Sequence, residues 1–131
     1  MCLSKLDSSF KPCDIGYQVK RKKPTGYTAL YYEDKRNPIN RWDSKVRARS
    51  VLRIGETYRA VPDRTGNWNN RYDAGFHVFH TLRSAKNYRK DRWGCVIVKV
   101  KTGGKRVTGR QGNRMVTVAS EITLLEEVSH L

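Results

Sequence analysis

Cys2 has the widest chemical reach of any residue in this chain. Removal of an initiator Met ahead of a small second residue leaves Cys2 with a free α-amine and a thiol, two nucleophiles on one residue. Such a pair can also capture an aldehyde, for example an abasic sugar. The plain alternative, an ordinary cysteine, asks nothing of its surroundings. His77 and His80, in Phe76-His77-Val78-Phe79-His80, stand at a spacing that suits a metal on a helix. On a strand the same spacing sends them to opposite faces, and no metal site is expected. Neither histidine has a carboxylate partner in sequence for acid–base work.

Other chemistries are disfavoured by spacing. Cys2, Cys13 and Cys95 are odd in number and scattered, against a disulfide framework or a zinc knuckle. Cys95, inside the apolar run Cys95-Val96-Ile97-Val98, reads as a buried thiol. Gly103-Gly104-Lys105-Arg106 lacks the spacing of a nucleotide-phosphate loop. The acids between Lys20 and Arg114 are too dispersed for a two-metal nuclease centre. No cofactor is expected.

The strongest signal is electrostatic. The chain has 27 Lys and Arg against 12 Asp and Glu, a net charge of +15. All the cations except Lys5 and Lys11 lie between Lys20 and Arg114, whereas five of the acids (Asp7, Asp14, Glu121, Glu126, Glu127) lie outside that segment. Such a field repels the folded chain from itself unless a polyanion or an acidic surface is the partner. The same segment interleaves rings, including Tyr27, Tyr58, Trp68, Tyr72, Tyr88 and Trp93. Cations that track phosphates and rings that stack on bases are what single-stranded nucleic acid requires, at ~1–3 kcal/mol per stacked base.

Three basic clusters are the candidate contacts. Lys20, Arg21, Lys22 and Lys23 lie near a hairpin tip, and Arg83, Lys86, Arg89, Lys90 and Arg92 lie on and after a helix. Lys105, Arg106, Arg110 and Arg114 lie on a Gly-punctuated hairpin, and Trp68 is the candidate stacking ring. A solvated charge is the plain reading of any single member; the clustering favours the group.

The elements that must position these residues are mostly strands. The chain reads as one basic domain, 1–131, in which residues 1–13 form an extended arm. The alternation of Ile15, Tyr17 and Val19 makes a first strand, Pro24-Thr25-Gly26 turns it, and Tyr27–Tyr32 resumes. Short strands follow near Leu52–Ile54 and Thr57–Val61, then at Gly75–Phe79. One helix is expected over about 81–90, with Thr81 as N-cap, Leu82 and Ala85 inward, and Arg83, Lys86, Asn87 and Lys90 outward. Cys95–Lys101 is the strongest strand, Gly103-Gly104 turns it into Arg106-Val107-Thr108, and Met115–Ala119 and Ile122–Val128 close the chain as two strands or one bent strand. The fold class is α+β, an antiparallel-rich sheet with one main helix. No apolar run approaches the ~20 residues of a membrane span, and a cytoplasmic protein is expected.

Three resemblances bear on function. The Met1-Cys2 start resembles N-terminal-nucleophile amidohydrolases in that one residue, although Leu3 stands where their Gly usually follows. Tyr17-Gln18-Val19 and Ala119-Ser120-Glu121 are remotely similar to ADP-ribosyltransferase folds, which implies Glu121 as a catalytic carboxylate; the basic first-strand residue of that family is missing. Across most of the chain, Met1-Cys2-Leu3, Tyr17-Gln18-Val19, Ile54-Gly55-Glu56-Thr57-Tyr58, Gly75-Phe76-His77-Val78-Phe79 with Ala85 and Tyr88, and Ala119-Ser120-Glu121-Ile122 look like small bacteriophage-encoded accessory proteins. That likeness implies a setting, a bacterial host cell whose defence or nucleic-acid machinery is countered. The expectation is a binder of RNA, DNA or a host nucleoprotein rather than an enzyme. The alternatives are an enzyme using Cys2 or Glu121, and a binder of an acidic host protein surface.

Overall fold

The computed structural model describes residues 5–7, 9–28, 51–59, 64–65, 72–73, 75–90 and 94–128. Their architecture is mostly antiparallel sheet with one short helix. The strands are β1 (Lys5–Leu6), β2 (Ile15–Lys23), β3 (Gly26–Thr28), β4 (Thr57–Arg59), β5 (Arg64–Thr65), β6 (Tyr72–Asp73), β7 (Phe76–Phe79), β8 (Cys95–Gln111) and β9 (Arg114–Val128); the helix is α1 (Leu82–Arg89).

The principal sheet runs β1-β8-β2-β7-β9-β4, with β3 paired to β2. Because β8 also pairs with β9 along nearly its whole length, the ladder β8-β2-β7-β9 closes on itself. The long β8–β9 hairpin is therefore the scaffold, and its ends carry the shorter strands. Closure removes sheet edges that would otherwise expose unpaired backbone groups.

Two apolar clusters fill this frame. In one, Ala85 and Tyr88 of α1 cover Val19, Phe79, Cys95, Ile97, Val116 and Val118, with Tyr17 and Leu82 packed alongside. In the other, Tyr27, Leu52, Phe76, Val78, Val98, Val100, Ala119, Ile122 and Leu124 come together. Both sides of the strand at Cys95–Val100 are thus buried, which is why it reads as a continuous apolar run.

The helix begins where Thr81, in extended conformation, accepts a hydrogen bond from the Ser84 amide at 3.1 Å. Its exposed positions Arg83, Lys86, Asn87 and Lys90 are those that helical spacing sends outward.

One turn departs from the sequence reading. Gly103-Gly104 is not a turn: β8 continues through it with a bulge between Gly103 and Arg106. Gly104 there has φ +67, and a Cβ would collide with Ser120 Oγ, so the glycine serves a bulge instead of a reversal. The reversal lies at Gly112-Asn113, between paired Gln111 and Arg114. Gly112 has φ +65 and no non-glycine residue has a positive φ among the described residues, the pattern of a type II′ hairpin turn. The closing residues form one strand, β9, the second of the two forms expected for them. Within residues 1–13, Lys5–Leu6 forms a strand laid against Arg110 and Gly109 of β8.

Candidate nucleic-acid interface

Strand alternation divides the first basic cluster. On β2, Tyr17 and Val19 face the α1 side, packed with Ala85 and Tyr88, so Arg21 and Lys23 follow them onto that side. Both are exposed. Lys20 and Lys22 go the other way. Lys20 is only 2% exposed and does not belong to an open contact surface. Lys22 pairs with Glu127 Oε1 at 3.0 Å.

The second cluster joins Arg21 through the backbone. Arg89 Nε donates to the Cys95 carbonyl at 2.8 Å, and Cys95 is the ladder partner of Arg21. The C-terminal end of α1, with Arg89 and Lys90, therefore lies beside Arg21. From there Lys86 and Arg83 continue along the exposed side of the helix, which at 1.5 Å rise per residue is about 12 Å long.

At the other end of this ridge lies Arg114 from the third cluster. It shares a strand face with Val116 and Val118 beneath α1, and its guanidinium carbon sits 5.5 Å from the Tyr88 ring centroid. Such stacking fixes the plane of the guanidinium. Together with Arg83, Ser84 and Asn87 of α1 and Gly112 and Asn113 of the turn, Arg114 lines a groove of about 390 Å³.

The sequence placed Arg83 and Arg114 in separate clusters and did not bring in Ser84, Gly112 or Asn113. The usable signals were small polar side chains on the exposed side of the helix and a Gly-Asn pair set to turn a hairpin.

The ridge carries charge that the fold does not neutralise. Among the described residues, Arg21, Lys23, Arg83, Lys86 and Lys90 form no ion pair, and the first turn of α1 has no acid. Arg83 occupies the positive end of the helix dipole, worth about 0.3–1 kcal/mol in the wrong direction. Arg83 and Lys86, and Lys86 and Lys90, are like-charged neighbours at helical spacing, each pair costing about 0.2–0.5 kcal/mol.

The remaining members of the third cluster are held elsewhere. Arg106 Nη1 bonds Asp14 Oδ1 at 2.9 Å, and Lys105 sits at the bulge with its amide on Ser120 Oγ at 2.9 Å. Arg110 lies 3.7 Å from Asp7 Oδ2 and 6.0 Å from the exposed Phe10 ring centroid. Arg92 and Trp68 fall outside the described residues, as does Cys2.

On the β4 and β9 side, cations and phenols meet carboxylates. Glu127 receives Lys22 and the Tyr27 hydroxyl, the latter at 2.8 Å. The hydrogen bond from Lys22, then that from Tyr27, holds its carboxyl below the ordinary value, while burial followed by that same contact pushes Tyr27 up to about 12. Burial first, and the Glu56 carboxylate 2.6 Å away, raise Tyr58. Glu121 lies 3.9 Å from Arg59 Nε and opposite Gly103.

One polar network escaped sequence reading because its members are distant in the chain. Thr117 Oγ1 accepts from the Cys13 amide at 3.2 Å and from its thiol at 3.5 Å. With both lone pairs engaged, its proton points to His80 Nε2 at 2.6 Å. Burial raises the Cys13 thiol and lowers His80, so both groups are held neutral. That arrangement pins the segment before β2 to β9 and disfavours a thiolate nucleophile at Cys13. Thr102 Oγ1 donates to the Cys13 carbonyl and secures the same segment.

Comparison with protein-family models, with curated proteins and with solved structures found no match. No helix of the described residues is long and apolar enough to cross a membrane.

Proposed function

We propose that this protein binds nucleic acid along the α1 ridge and, by occupying the strand, blocks its normal use, as an accessory protein of the bacteriophage kind acting in the host cytoplasm. The observation that carries this reading is the convergence of Arg21, Lys23, Arg83, Lys86, Arg89, Lys90 and Arg114 on one side of the fold, where no described carboxylate pairs with the exposed lysines or with Arg21 and Arg83. Guanidinium and ammonium groups are donors suited to holding phosphates. The phage setting draws on the sequence phrases quoted above.

Fluorescence anisotropy with single-stranded RNA, single-stranded DNA and duplex DNA across a salt series tests the reading. Nucleic-acid binding gives an affinity whose logarithm falls linearly with log salt, by roughly 0.7 per phosphate for single strands and roughly 0.9 for duplex. Equal, weak binding to all three that vanishes at physiological salt rejects it and leaves the two alternatives, an acidic protein surface as the partner or an enzyme using Cys2 or Glu121.

A further inference from the structure

We propose that the groove between α1 and the β8–β9 turn is a phosphate clamp, in which Arg83 and Arg114 hold one phosphoryl group and Asn87 and Asn113 reach the nucleoside attached to it. This deepens the nucleic-acid reading and rests on it only for the identity of the molecule that carries the phosphate.

Two guanidinium groups line one groove with Ser84, Asn87, Gly112 and Asn113; among the described residues the lining holds no carboxylate and no large apolar side chain. Its volume, about 390 Å³, falls within the ~300–1,000 Å³ of small-ligand sites and leaves room beside a phosphate for a sugar or base. Each guanidinium presents several donors in a planar fork that matches phosphoryl oxygens bidentately. Carboxamides offer a donor and an acceptor together, the pairing that base edges read.

Arg114 supplies the independent observation. Its Nε is buried with no hydrogen-bond partner among the described residues, and the guanidinium is fixed over Tyr88. The Nη donors at the outer end of that fixed guanidinium are the ones an oxyanion in the groove would meet. Arg83 adds a second positive charge at the helix end whose dipole also favours an anion. The site is thus set up for more negative charge than the protein itself provides.

Nuclear magnetic resonance titration of the ¹⁵N-labelled full chain is the test, with inorganic pyrophosphate, thymidine 5′-monophosphate and dithymidine phosphate as probes. The clamp predicts shifts concentrated at the Ser84, Asn87, Gly112 and Asn113 amides and at the Arg114 Nε–H. Arg83→Gln, at an exposed position outside the core, weakens pyrophosphate binding about tenfold or more. Arg114→Lys keeps the charge, removes the fork and also weakens it, whereas Arg59→Gln leaves it unchanged. Preference for the monophosphate marks a terminal phosphate as the ligand; equal or tighter binding of dithymidine phosphate marks an internal diester. Scattered shifts, or wild-type affinity in Arg83→Gln, overturn the clamp. Strand binding with a steep salt slope and a silent groove rejects the clamp and keeps the nucleic-acid reading. Groove shifts with pyrophosphate and no strand binding do the reverse.

Discussion

The α1 side and the β4–β9 side of this protein use the same residue types to opposite ends. On the β9 side Lys22 and Tyr27 converge on Glu127, and Arg59 lies near Glu121. Lys22 and Arg59 there each have a carboxylate from another strand. On the α1 side Arg83, Lys86 and Lys90 have no such counterpart among the described residues, and their mutual repulsion is a cost the fold carries. Cations that do nothing for stability are the ones available to a ligand.

The difference can be broken most sharply by reversing the ridge. Arg83→Glu, Lys86→Glu and Lys90→Glu together are expected to weaken single-strand binding by about 100-fold or more and to reduce the salt slope by about 2, read by anisotropy. Thermal unfolding of the same variant should show no loss of stability, because like-charge pairs on a helix are being relieved.

Glu127→Ala is the converse. It removes the acceptor of Tyr27 and the partner of Lys22, and about 1–2 kcal/mol of unfolding free energy is expected to go with it in urea titrations. Lys22 is 58% exposed at its side chain, so most of that loss belongs to the buried Tyr27 contact. Strand binding should be unaffected.

Acidification sharpens the contrast further. His80 is lowered from 6.5 by burial and Glu127 from 4.5 chiefly by Lys22. For both, the unfolded chain takes up protons first as pH falls, so stability is full above the ordinary value and declines as pH drops through the lowered one. Unfolding midpoints should therefore fall below about pH 6.5 and again below about pH 4.5, and His80→Gln should flatten only the upper step. Arg59→Gln is the smallest effect, within about 0.5 kcal/mol and with unchanged binding.

Much of this arrangement was legible in the sequence, for identifiable reasons. The helix was readable because its cap, its inward Ala85 and its outward cations all agree with one period. The Cys95–Val100 strand was readable because both its sides are buried. Gly103-Gly104 misled because a glycine with positive φ fits a bulge as well as a turn, and only the partner strand decides which. Lys20–Lys23 looked like one cluster because charge counts ignore strand alternation, which sends Arg21 and Lys23 to the α1 side and Lys20 and Lys22 away from it. The groove and the Cys13-Thr117-His80 network depend on contacts between residues far apart in the chain, and no local pattern announces those.

If the α1 side alone meets the polyanion, its lysines are covered in the complex and those elsewhere are not. Lysine acetylation footprinting, with and without a saturating single strand and read by mass spectrometry, tests it most directly. Protection of Lys23, Lys86 and Lys90 with Lys101 unprotected is the predicted result. Uniform protection, or protection of Lys101 while Lys86 and Lys90 stay reactive, would contradict it.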